Sequence, residues 1–119
     1  MAGPEWSIVF FESGGHSPVR EFLETLDRKT QVRFAWSLEQ LRVRNVLARK
    51  PLVDHVEGKL WELREESGTN IYRLLYVMGS RKRIIVLHGF QKKTQRTPRR
   101  EIEIAEARLR CLQAGERGT

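Results

Sequence analysis

Five basic side chains carry the chemistry legible in this sequence: Arg64, Arg73, His88, Lys92 and Lys93. Side chains on a strand alternate between faces, so in Leu60-Trp61-Glu62-Leu63-Arg64 the residues Leu60, Glu62 and Arg64 share one side. In the next apolar run Arg73 shares a side with Ile71, Leu75 and Val77. An arginine there is costly to bury unless it is paired or lines an opening. Two readings stand: an ion pair with Glu62 on the neighbouring strand, or a functional cation. In the following run Ile84, Val86, His88 and Phe90 are expected on one side, before the chain continues into Gln91-Lys92-Lys93-Thr94-Gln95-Arg96. His88 is either an ordinary hydrogen-bonded histidine or a proton-transfer group. Phe90 either packs in the core or stacks on a base.

Arginines, lysines and a histidine without a metal suit the cleavage of RNA. There the ribose 2′-hydroxyl attacks the adjacent phosphate, and the protein must align that attack, stabilise the phosphorane and move two protons. Fixed cationic donors supply the charge stabilisation, each worth on the order of 10²–10³ in rate when well placed. A histidine or a perturbed lysine serves the proton transfers. The charge distribution points the same way. The net charge is +7, yet residues 81–100 alone hold eight basic residues and no acid. Such a patch raises the local concentration of polyanions. The candidates for RNA contact are Arg64, Arg81, Lys82, Phe90 and Arg96.

Other chemistries lack their residues. His16, His55 and His88 are far apart and Cys111 has no cysteine partner, so no zinc-ligand spacing exists. The sequence contains no G-x-S-x-G and no phosphate-binding glycine loop. Neither a metal nor a nucleotide cofactor is expected. A single cysteine excludes an internal disulfide framework. No apolar run approaches the ~20 residues of a membrane helix, and Met1 to Phe11 shows no basic leader, so a cytoplasmic protein without a membrane partner is expected.

These candidates need a scaffold. The 119 residues and 39% hydrophobic content fit one domain with one core. Trp6 to Phe11 reads as a strand closed by Ser13-Gly14-Gly15. Ser17-Pro18 reads as a helix N-cap with proline in the first turn, and Val19, Phe22, Leu23 and Leu26 form its apolar face. A second helix is expected from Lys29 to about Val46, with Phe34, Leu38 and Leu41 inward and Pro51 ending it at the latest. From Lys59 the period changes to that of strands: 60–64, 71–78 and 83–90, separated by short turn-rich links that favour antiparallel hairpins. Thr97-Pro98 opens a last helix with Ile102, Ala105, Leu109 and Leu112 on one face, and Gly115 is expected to end it. Trp6, Trp36 and Trp61 are all assigned to the core, and Cys111 is read as a small buried side chain. The order β-α-α-β-β-β-α defines an α+β domain with helices packed on one sheet.

Residues 59–112, through KLWELR, IYRLLYV, IIVLHGFQKKTQRTP and REIEIAEARLR, resemble the phage-derived HigB-like branch of the RelE/ParE toxin superfamily. The first half fits more loosely, through a strand, two helices and Pro51-Leu52. The resemblance implies a RelE/ParE-like fold, with an antiparallel or mixed sheet, two N-terminal helices and one C-terminal helix, spanning residues 1–119 as a single toxin domain. It implies a toxin of a type II toxin–antitoxin pair, with ribosome-dependent mRNA cleavage and neutralisation by a helix-turn-helix antitoxin of the HigA-like kind. Carried over by position, the basic residue ending ELR is Arg64 and that of YRLLY is Arg73. The lysines after the last strand are Lys92 and Lys93, with His88 before them. Arg73 and Lys93 would hold the phosphate, and His88 and Lys92 compete for the proton transfers. The C-terminal tyrosine of some relatives is absent, since Tyr76 is the last tyrosine here. Two other functions stay open: a non-enzymatic inhibitor of DNA gyrase like the ParE branch, and a plain nucleic-acid-binding module.

Overall fold

The computed structural model describes residues 6–44 and 53–117. Strand β1 (Ser7–Phe10) leads into helix α1 (Pro18–Glu24), and the Ser17 Oγ accepts a hydrogen bond from the Arg20 N–H to cap it. Leu26 lies past the end of α1 but still packs on the core beside Phe22 and Leu23. Helix α2 covers Arg28–Arg44; the expected continuation to Val46 and the stop at Pro51 lie outside the described residues. Strands β2 (Val53–Glu57), β3 (Leu60–Ser67), β4 (Asn70–Gly79) and β5 (Arg83–Lys92) follow, then helix α3 (Arg99–Arg117).

The described strands form one sheet in the order β1-β5-β4-β3-β2. β1 runs parallel to β5 and the other neighbours are antiparallel, so the expected meander of β3, β4 and β5 is present. The element order differs from expectation by one strand. β2 is a short edge strand, Val-Asp-His-Val-Glu, whose polar residues hide the period-two signal. Charged side chains on such an edge also discourage pairing with other chains. The β3–β4 hairpin closes through Gly68-Thr69, with Gly68 at a φ of +62° that a side chain would strain. The β4–β5 turn holds Arg81 and Lys82 at φ values of +58° and +53°.

Helices cover both faces. On one, Val19, Phe34, Leu38 and Leu41 pack on Leu63, Leu74, Tyr76, Ile84 and Val86. On the other, Ile102 and Ala105 of α3 pack on Leu60, Leu75, Val77, Ile85, Leu87 and Phe90. Burial on both faces explains why β4 and β5 read as nearly continuous apolar runs. It also bears on β5. Leu75 pairs with His88 and Tyr76 with Val86, leaving Leu87 as an extra, bulged residue. Ile84 and Val86 therefore face α1 and α2, whereas Leu87, His88 and Phe90 face α3. The expected single-sided set of Ile84, Val86, His88 and Phe90 is corrected by this bulge.

Three further expectations are corrected. Trp36 is 60% exposed and forms a solvent-facing strip of α2 with Val32 and Val43, while Trp6 and Trp61 pack against the core. Cys111 is exposed on α3. Gly115 does not end α3, which continues to Arg117: a glycine is tolerated inside a helix's final turn.

Candidate functional site

Arg64 of β3 stands directly opposite Arg73 of β4, and Arg73 opposite Phe90 of β5. One step along, Ile71 stands opposite Lys92. Register thus gathers Arg64, Arg73 and Lys92 on the α3 face of three neighbouring strands, where like charges repel. The arrangement persists because a carboxylate lies among them. Glu62 is 5% exposed and Arg73 3%, and Arg73 Nε donates to Glu62 Oε1 over 3.3 Å. Lys92 Nζ lies 4.0 Å from the same oxygen, and Thr97 Oγ1 donates to Glu62 Oε2 over 2.7 Å. Arg73 Nη1 also donates to the Tyr72 carbonyl over 3.0 Å. The ion pair considered for Arg73 from the sequence is therefore present, and it coexists with an opening.

That opening is a cleft of about 550 Å³ lined by Arg64, Thr69, Ile71, Arg73, Lys92 and Lys93. Lys93, the first residue beyond β5, is exposed, as is Arg96. Neither they nor Arg64 forms a hydrogen bond or ion pair through its side chain among the described residues. A second cleft of about 770 Å³ adjoins the first across Lys92 and Thr94, and is lined by Asp54, Glu57, Glu62, Arg96 and the start of α3. Arg99 there is held by Glu57, Nη2 to Oε2 at 2.6 Å.

Burial lowers the proton affinity of the Lys92 ammonium below the ordinary lysine range. Arg73 and Arg64 push in the same direction, and Glu62 and Asp54 oppose them. Burial lowers the Arg73 value as well, chiefly against the attraction of Glu62, but a guanidinium stays charged at any physiological pH.

His88 sits differently. Its Nε2 lies 2.6 Å from Glu101 Oε1 and its Nδ1 3.2 Å from Arg108 Nη1, and its ring stacks on Phe90. A guanidinium only donates, so Nδ1 accepts and Nε2–H donates to Glu101: the ring is neutral with both nitrogens engaged. Burial, first, lowers its proton affinity, and Arg108 and Arg100 add to the effect while Glu101 opposes it. His88 lines neither cleft. Phe90 is buried against α3, so the core-packing reading of that residue holds.

Arg81 and Lys82 lie at the opposite end of β5 from Lys92, about 30 Å away at ~3.3 Å per residue. The eight cations of residues 81–100 are thus two groups, not one patch. Thr97 and Arg108 carry little site signal in the sequence. Thr97 was visible only as a helix-start signal, and Arg108 only as one charge on an amphipathic helix. Arg108 also donates to the Leu87 carbonyl over 2.8 Å, which ties α3 to the bulge.

Fold and cleft together define an α+β domain whose mixed sheet carries a cationic cleft at the ends of its central strands. The chain belongs to the phage-derived Gp49-like family (DUF891), whose model matches residues 21–110, a span that holds every cleft residue named above. The family is associated with RelE/Gp49 toxin-like proteins. Among curated proteins none matches the chain. No helix of the described residues is long and apolar enough to cross a membrane.

Proposed function

We propose that this protein, as a single domain, is a HigB-like toxin of a type II toxin–antitoxin pair that cleaves mRNA on the ribosome in the cytoplasm. The observation carrying this reading is the convergence of Arg64, Arg73, Lys92 and Lys93 on one open cleft, with Arg73 fixed by Glu62. Four cations around an opening suit a phosphodiester passing to a more negative phosphorane. Arg73 and Lys93 hold the scissile phosphate from two sides and Arg64 supports it. The 2′-oxygen forms its bond to phosphorus as the bond to the 5′-oxygen breaks. Of the two proton-transfer candidates, the geometry favours Lys92. It lines the cleft with a lowered proton affinity, whereas both ring nitrogens of His88 are already engaged.

A helix-turn-helix antitoxin with an acidic or helical surface is the proposed neutralising partner, acting on the cleft end of the cationic segment. Complementary charge would also speed that association. The test is cleavage of mRNA by purified protein on translating ribosomes. Products ending in a 2′,3′-cyclic phosphate or 3′-phosphate, formed equally in EDTA, are expected. Intact mRNA together with inhibited gyrase supercoiling, unaffected by the R73A/K93A double variant, would replace this reading with the ParE-like one.

A further inference from the structure

The carboxylate at the centre of the cation cluster has no place in the phosphate-holding scheme above, and simple electrostatics makes its presence there unfavourable for binding an anion. It is nonetheless the most connected group of the site. Glu62 is buried on β3 and takes Arg73 from β4 and the Lys92 ammonium from β5 on Oε1. Thr97, just before α3, donates to Oε2. Four chain segments therefore meet at one side chain, which lines the larger cleft, while Arg73 lines the smaller one and Lys92 both.

We propose that Glu62 is a positioning residue. With Oε2 anchored by Thr97, its Oε1 aims the Arg73 guanidinium and the Lys92 ammonium at one phosphate in the adjoining cleft. This rests on the reading of that cleft as a phosphodiester site. Arg73 uses Nε on Glu62 and Nη1 on the Tyr72 carbonyl, which fixes the plane of the guanidinium. A fork fixed in plane can present its remaining N–H groups to phosphate oxygens without further ordering. Lys92 meets Glu62 and Arg64 from β3, Arg73 from β4 and Asp54 from β2. The two carboxylates favour its charged form and the two guanidinium groups oppose it. Loss of the Glu62 charge leaves Lys92 with two cations against Asp54 alone.

If Glu62 were only a nearby charge, neutralising it would make the protein more cationic and tighten anion binding. If it aims Arg73 and Lys92, neutralising it weakens binding. The measurement is the affinity of a fluorescent 2′-O-methyl oligoribonucleotide, which cannot be cleaved, for wild type, Glu62→Gln and Thr97→Val at fixed salt. A roughly tenfold loss is expected for Glu62→Gln and a smaller loss for Thr97→Val, which removes the anchor without changing charge. Tighter binding by Glu62→Gln with unchanged binding by Thr97→Val would overturn the proposal.

A second arm needs no RNA. In protein labelled with ¹³C-lysine, the Lys92 side chain is titrated by NMR. Its midpoint is expected to fall by about one pH unit in Glu62→Gln and to move in the same direction in Thr97→Val. A midpoint unmoved in both variants would overturn the proposal. If Glu62 acts only as a nearby charge, the midpoint falls in Glu62→Gln and stays in place in Thr97→Val, and that result would likewise overturn the proposal. Absence of oligonucleotide binding by wild type, with the Lys92 shift present, would overturn the phosphodiester reading of the cleft while leaving the Glu62–Lys92 coupling in place.

Discussion

At the scale of single residues, Arg73 and Lys93 share one proposed task but differ in what their removal costs the fold. Lys93 is exposed, so Lys93→Ala should lower cleavage by on the order of 10²-fold while stability stays within about 0.5 kcal/mol. Arg73 is buried against Glu62, and Arg73→Ala leaves that carboxylate with its main partner gone. About 3–5 kcal/mol of stability should be lost along with the activity. Urea unfolding of both variants beside single-turnover cleavage separates the two effects. Equal stability losses would contradict the burial argument. His88 gives a pH test. Its folded proton affinity lies below the ordinary value of 6.5, so just below that pH the unfolded chain binds more protons than the folded one. Its contribution to stability is complete above that value and is lost as the pH falls through the window beneath it. Protonation would also turn the Nδ1 acceptor into a donor facing Arg108. Going from about pH 7.5 to about pH 5.5, wild type should therefore lose more stability than His88→Gln. Parallel losses would show that this ring does not titrate as argued.

At the scale of elements, the bulge in β5 and the seat of α1 are coupled through Gly89. Gly89 stands opposite Leu74 on the face covered by α1. A Cβ added there would overlap the Phe22 ring and lie 2.9 Å from Leu74 Cδ2. Gly89→Ala should cost about 1–3 kcal/mol through overpacking, and less in a Phe22→Leu background where the ring is gone. A thermal-unfolding cycle of the two single variants and the double variant measures this. Strict additivity would mean that the strain is relieved elsewhere. The same bulge is why the α3 face was only partly legible in the sequence. Alternation predicts Arg73 beside Leu75 and Val77 correctly, because β4 is paired without an insertion on its own strand. It fails for His88, because one extra residue on β5 changes the face of everything after it.

At the scale of the whole molecule, the eight cations of residues 81–100 form two groups at opposite ends of β5. Counterion release from single-stranded RNA gives a slope of log affinity against log salt of about −0.7 per neutralised phosphate. The slope should shrink when Lys93 or Arg96 is replaced by Ala and stay unchanged in the R81S/K82S double variant. A loss of slope from the turn variant would mean that RNA follows the whole length of the sheet. The proposed antitoxin should likewise bind with a salt-dependent rate that responds to Lys93→Ala and not to the turn variant.

What the sequence determined alone were the properties set by local rules. The N-cap at Ser17, the inward faces of α1, α2 and α3, and the β3–β4–β5 meander follow from capping chemistry, hydrophobic period and short links. The presence of Arg64 and Arg73 on neighbouring strands, with Lys92 and Lys93 following the next one, was visible in the same way. Tertiary structure decided the rest, because it depends on contacts between segments distant in the chain. β2 becomes a strand through pairing with β3, although its own residues carry no clear alternation. Trp36 is exposed because α2 turns Phe34, Leu38 and Leu41 inward, and a tryptophan between those positions has no core to reach. Only packing could show that Glu62 is shared by Arg73, Lys92 and Thr97. Only packing could show that His88 is claimed by Glu101 and Arg108 of α3: a hydrogen-bond partner 13 or 20 residues away in sequence leaves no periodic trace.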